Sequence, residues 1–423
     1  MSRSARKPLL ALLAVLTLTA CAPGGPDGGD TGQAEDRNLT YVYFTDGPDE
    51  AATRALIADF EKASGATVNL QVVPFANLEQ QLQARLSGGN APDVARLTEL
   101  TPFRADLLDL GRFQQDALAG QFVEGATPAI TGPGGELLAV PSDLTMNGPI
   151  INVAQFTKAG VALPDPAKPW TWAQMIEAAQ AVQRANGTEF ALAMDVSGHR
   201  FATMLSQYGT TYLNGETVTL DTARATAAIT EFARLHETGA MPRDLWLQAG
   251  TKYKAANEIF LAQQVPVYIS GNWQVSAFAK SAGFEWRVAP NPCGERCGGF
   301  PGGKFMASFR QSAHQELAAE FIAFMNSAES QRRLCREAAF LPTRRDLIAS
   351  GVDYPSRPQD MGVFLEEVRR TPPDTFAANY SPGFGATARA TVTALATVLT
   401  GDQTPEQAAR TIRDEAQKAA VPR

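Results

Sequence analysis

The sequence predicts an α/β protein of about two domains, and two observations predict it, with a third pointing to a site. Strand-like and helix-like runs alternate from Leu39 to Val94, a span of about sixty residues, which is the pattern of a parallel sheet with crossover helices. The chain of 423 residues is long enough for two domains. A further β-rich run, Val265, Val267 and Ile269 alternating with Pro266, Tyr268 and Ser270, ends abruptly in Gly271-Asn272-Trp273. Proline there marks a strand start or an edge, and glycine permits the turn that follows. An amide beside an indole offers hydrogen bonds and a flat apolar face, the pairing that a sugar ring asks for. A large aromatic such as Trp273 is also ordinary core material, so other elements must decide its role.

In chain order, Arg3, Arg6 and Lys7 precede an apolar run, Leu9 to Leu18, too short to span a bilayer and shaped like a secretory leader. Leu18-Thr19-Ala20-Cys21 resembles a lipoprotein signal, in which Cys21 would carry the lipid. Residues 1–20 are thus expected to be the leader. Residues 21–38, rich in Gly, Pro, Asp and Thr, are expected to be a flexible tether. Leu39 to Phe44 reads as a strand broken at Thr45-Asp46-Gly47-Pro48. Leu56, Ile57 and Phe60 give one face of a helix over Ala51 to Ser64, ended by Gly65. Val68 to Val73 reads as a second strand, Leu78 to Leu86 as a second helix, and the segment after Asp93 as a third strand. Ligands of parallel sheets gather at strand carboxyl ends, where Asp46, Gly47, Thr98 and Glu99 fall. Near the C-terminus, Ala386 to Thr400 and Thr404 to Ala420 read as amphipathic packing helices, the second with a capping start.

The formal charge of −7 becomes −10 once the three cationic residues of the leader are removed. An acidic body lacks the basic footprint of a nucleic-acid binder. Beyond Cys21, the cysteines are Cys293, Cys297 and Cys335. Cys293 and Cys297 bracket a short glycine-rich loop, and in an exported chain a small disulfide is expected there. His199, His236 and His314 are scattered without metal-ligand spacing, so no metal and no cofactor is expected.

A family resemblance runs through these elements. Phe60-Glu61-Lys62-Ala63-Ser64-Gly65-Ala66-Thr67-Val68, followed by Ser87-Gly88-Gly89-Asn90-Ala91-Pro92-Asp93-Val94, resembles the extracellular solute-binding proteins of ABC importers, in particular the sugar-binding family that includes maltose-binding protein. Gly135 to Pro141 is similar to the family's strand into its first inter-lobe crossing. Asn152, Phe156, Lys158-Ala159-Gly160 and Thr171-Trp172 are similar to its N-x-x-x-F-x-K-A-G … T-W segment. Gly271-Asn272-Trp273 matches its Gly-x-Trp. Pro301-Gly302-Gly303 precedes a helix running to about Phe324, and Leu341-Pro342-Thr343-Arg344 follows it.

The resemblance implies a periplasmic-binding-protein-like fold: two α/β lobes, a hinge and a central ligand cleft. Lobe one would comprise residues 39–143 and 304–345, and lobe two residues 146–302 and 346–423. The ligand-binding residues it implies are Asp46, Gly47, Thr98, Glu99, Asp143, Thr145, Asn147, Asp195, Ser197, Asn272, Trp273, Gly302, Gly303, Arg344 and Phe384. Trp273 would be the stacking aromatic, and the glycine pair would bring backbone N–H groups to ligand oxygens. Thr145 stands where many sugar binders have an acid, and Ile150-Ile151 where many have a tyrosine. The implied protein is a monomer, lipid-anchored through Cys21 on the outer side of the cell membrane, which delivers a sugar or oligosaccharide to ABC permease subunits. A glycerophosphodiester or other polyol-like solute is the alternative ligand, with Arg200 or Arg344 as the cation. No G-x-S-x-G, P-loop or H-E-x-x-H motif points to an enzyme.

Overall fold

A computed structural model describes residues 36–46, 48–118, 120–247 and 256–420. The leader, the lipidation position Cys21, Gly47 and most of the tether lie outside the described residues. Ten strands are present among them: β1 (Asn38–Tyr43), β2 (Thr67–Val72), β3 (Val94–Leu97), β4 (Val140–Asn152), β5 (Leu192–Met194), β6 (Leu213–Asn214), β7 (Thr217–Val218), β8 (Val267–Gly271), β9 (Trp286–Val288) and β10 (Pro301–Ser308). The main sheet has the order β2-β1-β3-β10-β4-β8-β5, with β9 also paired to β4. Strands β1, β2 and β3 are parallel, as the alternation of strand and helix predicts. Strand β10 then enters antiparallel to both β3 and β4.

Strand β4 organises the molecule. Its thirteen residues are all buried, and at about 3.3 Å per residue they reach roughly 40 Å. Its first half pairs with β10, Gly302 opposite Thr145 and Lys304 opposite Asp143. Its second half pairs with β8 and β9. One strand therefore belongs to two packing environments. The register with β10 slips between Lys304 and Phe305, a bulge that bends the pair where the environments change.

On one side, alternation along β1 sends Leu39, Tyr41 and Tyr43 to one face and Val42 and Phe44 to the other. The first face packs Leu56, Phe60, Phe321 and Ile322; the second packs Leu78, Leu82, Phe305 and Phe309. On the other side a larger core gathers Ile150, Ile151, Phe156, Phe232, Phe260, Tyr268 and Phe278 with the C-terminal helices Phe384–Thr400 and Pro405–Ala420. Among the described residues no helix is long and apolar enough to cross a membrane.

Local signals account for several element ends. Gly65 closes helix Asp49–Ser64 at φ 70°, a conformation that costs glycine little. Thr171 and Gln174 form a capping box on helix Trp172–Asn186, and Thr404 with Gln407 does the same for the last helix. Pro266 precedes β8, which lies between β4 and β5, so it marks a strand start and not an edge. The stretch after Pro301 differs from expectation. Gly302 and Gly303 lie inside β10, and the helix begins only at Gln315. Met306 and Phe305 point to opposite faces there, the two-sided burial that period-2 sequence permits. Cys293 and Cys297 are disulfide-bonded, and Cys335 is fully buried in helix Ala328–Ala338.

Candidate ligand cleft at the crossing strands

Two polar clusters flank the β4–β10 crossing. The first is built on Arg96, the sole charged residue of the four-residue buried strand β3. Its guanidinium contacts Asp46 at 3.2 Å, Asp49 at 3.2 Å and Asp143 at 3.1 Å. It also donates to the carbonyl of Phe44 at 2.7 Å and lies over the rings of Tyr43 and Phe44. Burial alone would favour a neutral guanidine, but Asp143, Tyr43, Asp46 and Asp49 outweigh it and hold the cation firmly charged. Asp49 opens helix Asp49–Ser64, where an anion is favoured. It accepts from the Tyr43 hydroxyl, from Thr45 Oγ1 and from the Asp46 N–H.

Lys304, arriving from β10, adds a second cation, 2.6 Å from Asp46 and 3.6 Å from Asp143. Three carboxylates thus surround two cations. Of the three, Asp49 and Asp143 are sealed, while the Asp46 side chain is 24% exposed. Burial pushes its carboxyl pKa up, yet Lys304 and Arg96 prevail and hold it below the usual carboxylate range. Asp46 is therefore an ionised acceptor fixed on a rigid base.

The second cluster lies on the other side of the crossing. Asp195, after β5, accepts from Tyr268 at 2.6 Å, Ser270 at 2.8 Å and Arg200 at 3.3 Å. Arg200 donates to Asn147 Oδ1 at 2.9 Å, and its guanidinium sits 4.1 Å from the Trp273 ring centroid. Burial lowers the Arg200 pKa, with Asp195 opposing. His199 Nε2 is 2.8 Å from the Pro301 carbonyl, so it carries the proton; Nδ1 accepts from Asn147 and Arg200. Burial first, and Arg200 second, depress its pKa to about 3, so the imidazole is neutral.

The positions expected from sequence fall into three groups. Asp46, Asp143 and the buried Asn147 and Thr145 meet at the crossing, with Asp195, Ser197 and Trp273 beside them. Ser197 caps helix Gly198–Gln207 by accepting from the His199 N–H. Thr98 and Glu99 follow β3. Glu99 comes up against Gly385 of helix Phe384–Thr400; desolvation raises its pKa, with Arg389 opposing and Glu79 adding.

A second group is occupied by the protein itself. Asn272 is fully buried, accepting from the Met146 N–H and donating to the Ala339 carbonyl. A side chain at Gly302 would collide with Thr145, and one at Gly303 would press on Asp143 O and Tyr380, so the glycine pair makes room for protein atoms. Phe384 stacks on Phe300 at 5.4 Å within the core. The third case is Arg344, whose guanidinium is taken up by Asp346 and Gln121. Sequence reasoning passed over Arg96, Asp49 and Lys304. The signal for Arg96 was present: a lone arginine within Val94-Ala95-Arg96-Leu97, a run that otherwise reads as wholly buried.

The family of bacterial extracellular solute-binding proteins matches residues 55–359. The chain belongs to that family. Among curated relatives of this solute-binding protein, a putative binding protein of Brucella abortus is 23% identical over 431 aligned positions, covering 97% of this chain and 96% of the relative. Among solved structures, the GacH receptor of Streptomyces glaucescens, determined unliganded and with acarbose, superposes with a TM-score of 0.75 at 22% identity, covering 90% of this chain and 98% of its own. The cyclic alpha-maltosyl-1,6-maltose binding protein of Arthrobacter globiformis gives 0.75 at 19% identity, again with 90% and 98% covered. Maltose-bound MalE3 of T. maritima gives 0.72 at 20% identity, with 90% and 99% covered. These similarities establish the fold: two α/β lobes joined by crossing strands.

Proposed function

We propose that this solute-binding protein captures a carbohydrate between its lobes and presents it to an ABC permease. In this reading the lobes are residues 39–143 and 304–345 against residues 146–302 and 346–423. The observation that carries the reading is the pairing of an ionised, rigidly held, partly exposed Asp46 on one lobe with the half-buried Trp273 and Asp195 on the other. A carboxylate accepts from sugar hydroxyls and an indole covers C–H faces. The relatives of this fold include proteins solved with acarbose, maltose and maltotetraose. Asp143, Thr145 and Asn147 then act from the hinge, and Asn272, Gly302, Gly303 and Phe384 position the walls. The protein works by hinge closure without chemistry, as a monomer anchored at the membrane surface through lipid on Cys21.

One observation favours a second reading. The Arg200 guanidinium already covers part of the Trp273 ring, so the ring offers a ligand only the surface that the cation leaves. A cation in that position suits the phosphate of a glycerophosphodiester.

Thermal denaturation of residues 36–423 against glucose, tagatose, maltose, maltotetraose, polyols and glycerophosphodiesters separates the two. A ligand at a hundredfold excess over its dissociation constant stabilises by roughly 2.7 kcal/mol. A shift with a saccharide, abolished in Trp273→Ala, is the expected result. A shift with the phosphodiester alone, abolished in Arg200→Met, would replace carbohydrate with phosphodiester.

A further inference from the structure

The strand-end rim of lobe one carries an aromatic pair that the site described above does not use. Phe44, immediately after β1, is buried, and its ring is fixed from behind: the Arg96 guanidinium lies 4.7 Å from its centroid and Nη1 holds its carbonyl. Phe75 opens helix Phe75–Ser87 and rests against Phe44, ring centroids 5.0 Å apart. Phe75 is nevertheless 59% exposed, the most exposed of the large hydrophobic residues described, with Val72 (38%) three residues before it at the end of β2. An isolated exposed apolar residue asks for no explanation. An exposed ring seated on a second ring that is itself clamped by a buried ion cluster is a different object: a rigid apolar face.

The direction of that face follows from its neighbours. Glu79 lies one helical turn after Phe75 and shares its side of the helix. Glu79 interacts electrostatically with Glu99, whose carboxylate touches Gly385 and feels Arg389 on helix Phe384–Thr400 of lobe two. The Phe75 side of its helix therefore borders the opening between the lobes. Asp46 lies two residues from Phe44 on the same strand-end loop, so a hydroxyl acceptor and the apolar face adjoin.

We propose that Phe75, backed by Phe44, is a specificity-determining platform on lobe one that stacks the outer ring of an oligosaccharide whose inner ring meets Asp46 and Trp273. This rests on the carbohydrate reading above. Helix Phe75–Ser87 then selects for ligand length.

The test is calorimetric titration of wild type, Phe75→Ala and Phe75→Trp with the saccharides of the same panel, beside the unliganded melting temperature. Phe75 is exposed, so Phe75→Ala is expected to melt unliganded within about 2 °C of wild type. For maltose or maltotetraose the alanine variant is expected to bind roughly tenfold more weakly, the scale of one lost aromatic stack, with the tryptophan variant restoring affinity. Binding of glucose or tagatose is expected to change less than about twofold. Equal affinity of wild type and alanine variant for every saccharide would overturn the platform while leaving the carbohydrate reading intact. Equal losses for single and multiple rings would overturn the outer-ring placement. Absence of saccharide binding by wild type would overturn both.

Discussion

Replacing Glu367 by glutamine should stabilise the protein, and only above a defined pH. Glu367, on helix Pro358–Arg370, is 1% exposed. Asn291 Nδ2 donates to it at 2.8 Å and also to the Asn147 carbonyl of the crossing strand at 2.8 Å. The nearest cation, Arg370, is 3.8 Å away and is shared with Glu366 at 3.1 Å. Burial dominates, and the carboxyl pKa rises from 4.5 to about 7. A raised carboxyl keeps its proton in the folded chain where the unfolded chain has lost it. Below pH 4.5 both states are protonated and the group is neutral to stability. Between 4.5 and 7 unfolding releases a proton, so stability falls as pH rises, and above 7 the loss is complete. A shift from 4.5 to about 7 corresponds to about 3 kcal/mol. Glutamine keeps an acceptor for Asn291 and has no charge to bury. Urea unfolding of wild type and Glu367→Gln at pH 4.5, 6 and 8 should show the two close together at the acid end and diverging to about 3 kcal/mol at pH 8, with unchanged slope. A variant no more stable than wild type at pH 8, or a difference independent of pH, would refute the argument that burial controls this group.

Other perturbations test the remaining contacts. Arg96→Met should destabilise by about 3–5 kcal/mol in urea unfolding, because Asp49 and Asp143 would stay buried without their cation. Asn272→Ala should cost about 2–4 kcal/mol in the same assay by orphaning the Met146 N–H and the Ala339 carbonyl. In Gly198→Ala the new methyl would lie 2.1 Å from the backbone oxygen of Ala388, so the two helices must part, and a loss of about 1–3 kcal/mol is expected by the same measurement. His199, depressed to about 3, and His236, depressed to about 4 by burial, act oppositely to Glu367. Their unfolded forms take up protons first, so stability should fall as pH drops from 6.5 toward 3–4, at up to about 1.4 kcal/mol per pH unit for each proton. A His199→Asn variant should show a shallower acid limb, and an unchanged limb would contradict the burial argument.

Much of this architecture is visible in local sequence because local sequence determines it. The alternation of Leu39 to Phe44, the helical face of Leu56, Ile57 and Phe60, and the Gly65 stop are each properties of a few neighbouring residues, and each element forms within two residues of expectation. The Cys293–Cys297 loop is likewise local. What sequence leaves open is anything decided by register between distant strands. Gly302-Gly303 gives no local strand signal, because glycine lacks strand propensity; it lies in a strand where Thr145, His199 and Tyr380 occupy the space that side chains would need. Asn272 reads as an exposed amide at a strand end, yet it turns inward because two backbone groups at the crossing need partners.

The same logic explains why the charged base of the cleft is the least legible part of the chain. Asp46, Asp49, Arg96, Asp143 and Lys304 come from five separate positions, and nothing local says that the lone arginine of Val94-Ala95-Arg96-Leu97 will meet the three aspartates and the lysine. Their proximity follows from the strand order β1-β3-β10-β4, which places Arg96 beside both the β1 loop and the crossing. Burial converts that proximity into rigidity. A carboxylate in water is mobile and screened, but Asp46 shares Lys304 and Arg96 with the sealed Asp143 and cannot move without disturbing the strand pair that joins the lobes. On the proposed function, ligand contact at Asp46 would be coupled to the hinge through Lys304 of β10 and Asp143 of β4, which lie opposite one another at the register slip. Lys304→Met separates the two functions: it should raise the Asp46 pKa toward the ordinary range and weaken ligand binding, and small-angle scattering should then show a smaller ligand-induced compaction. Unchanged compaction at saturating ligand would mean that closure is driven by lobe two alone.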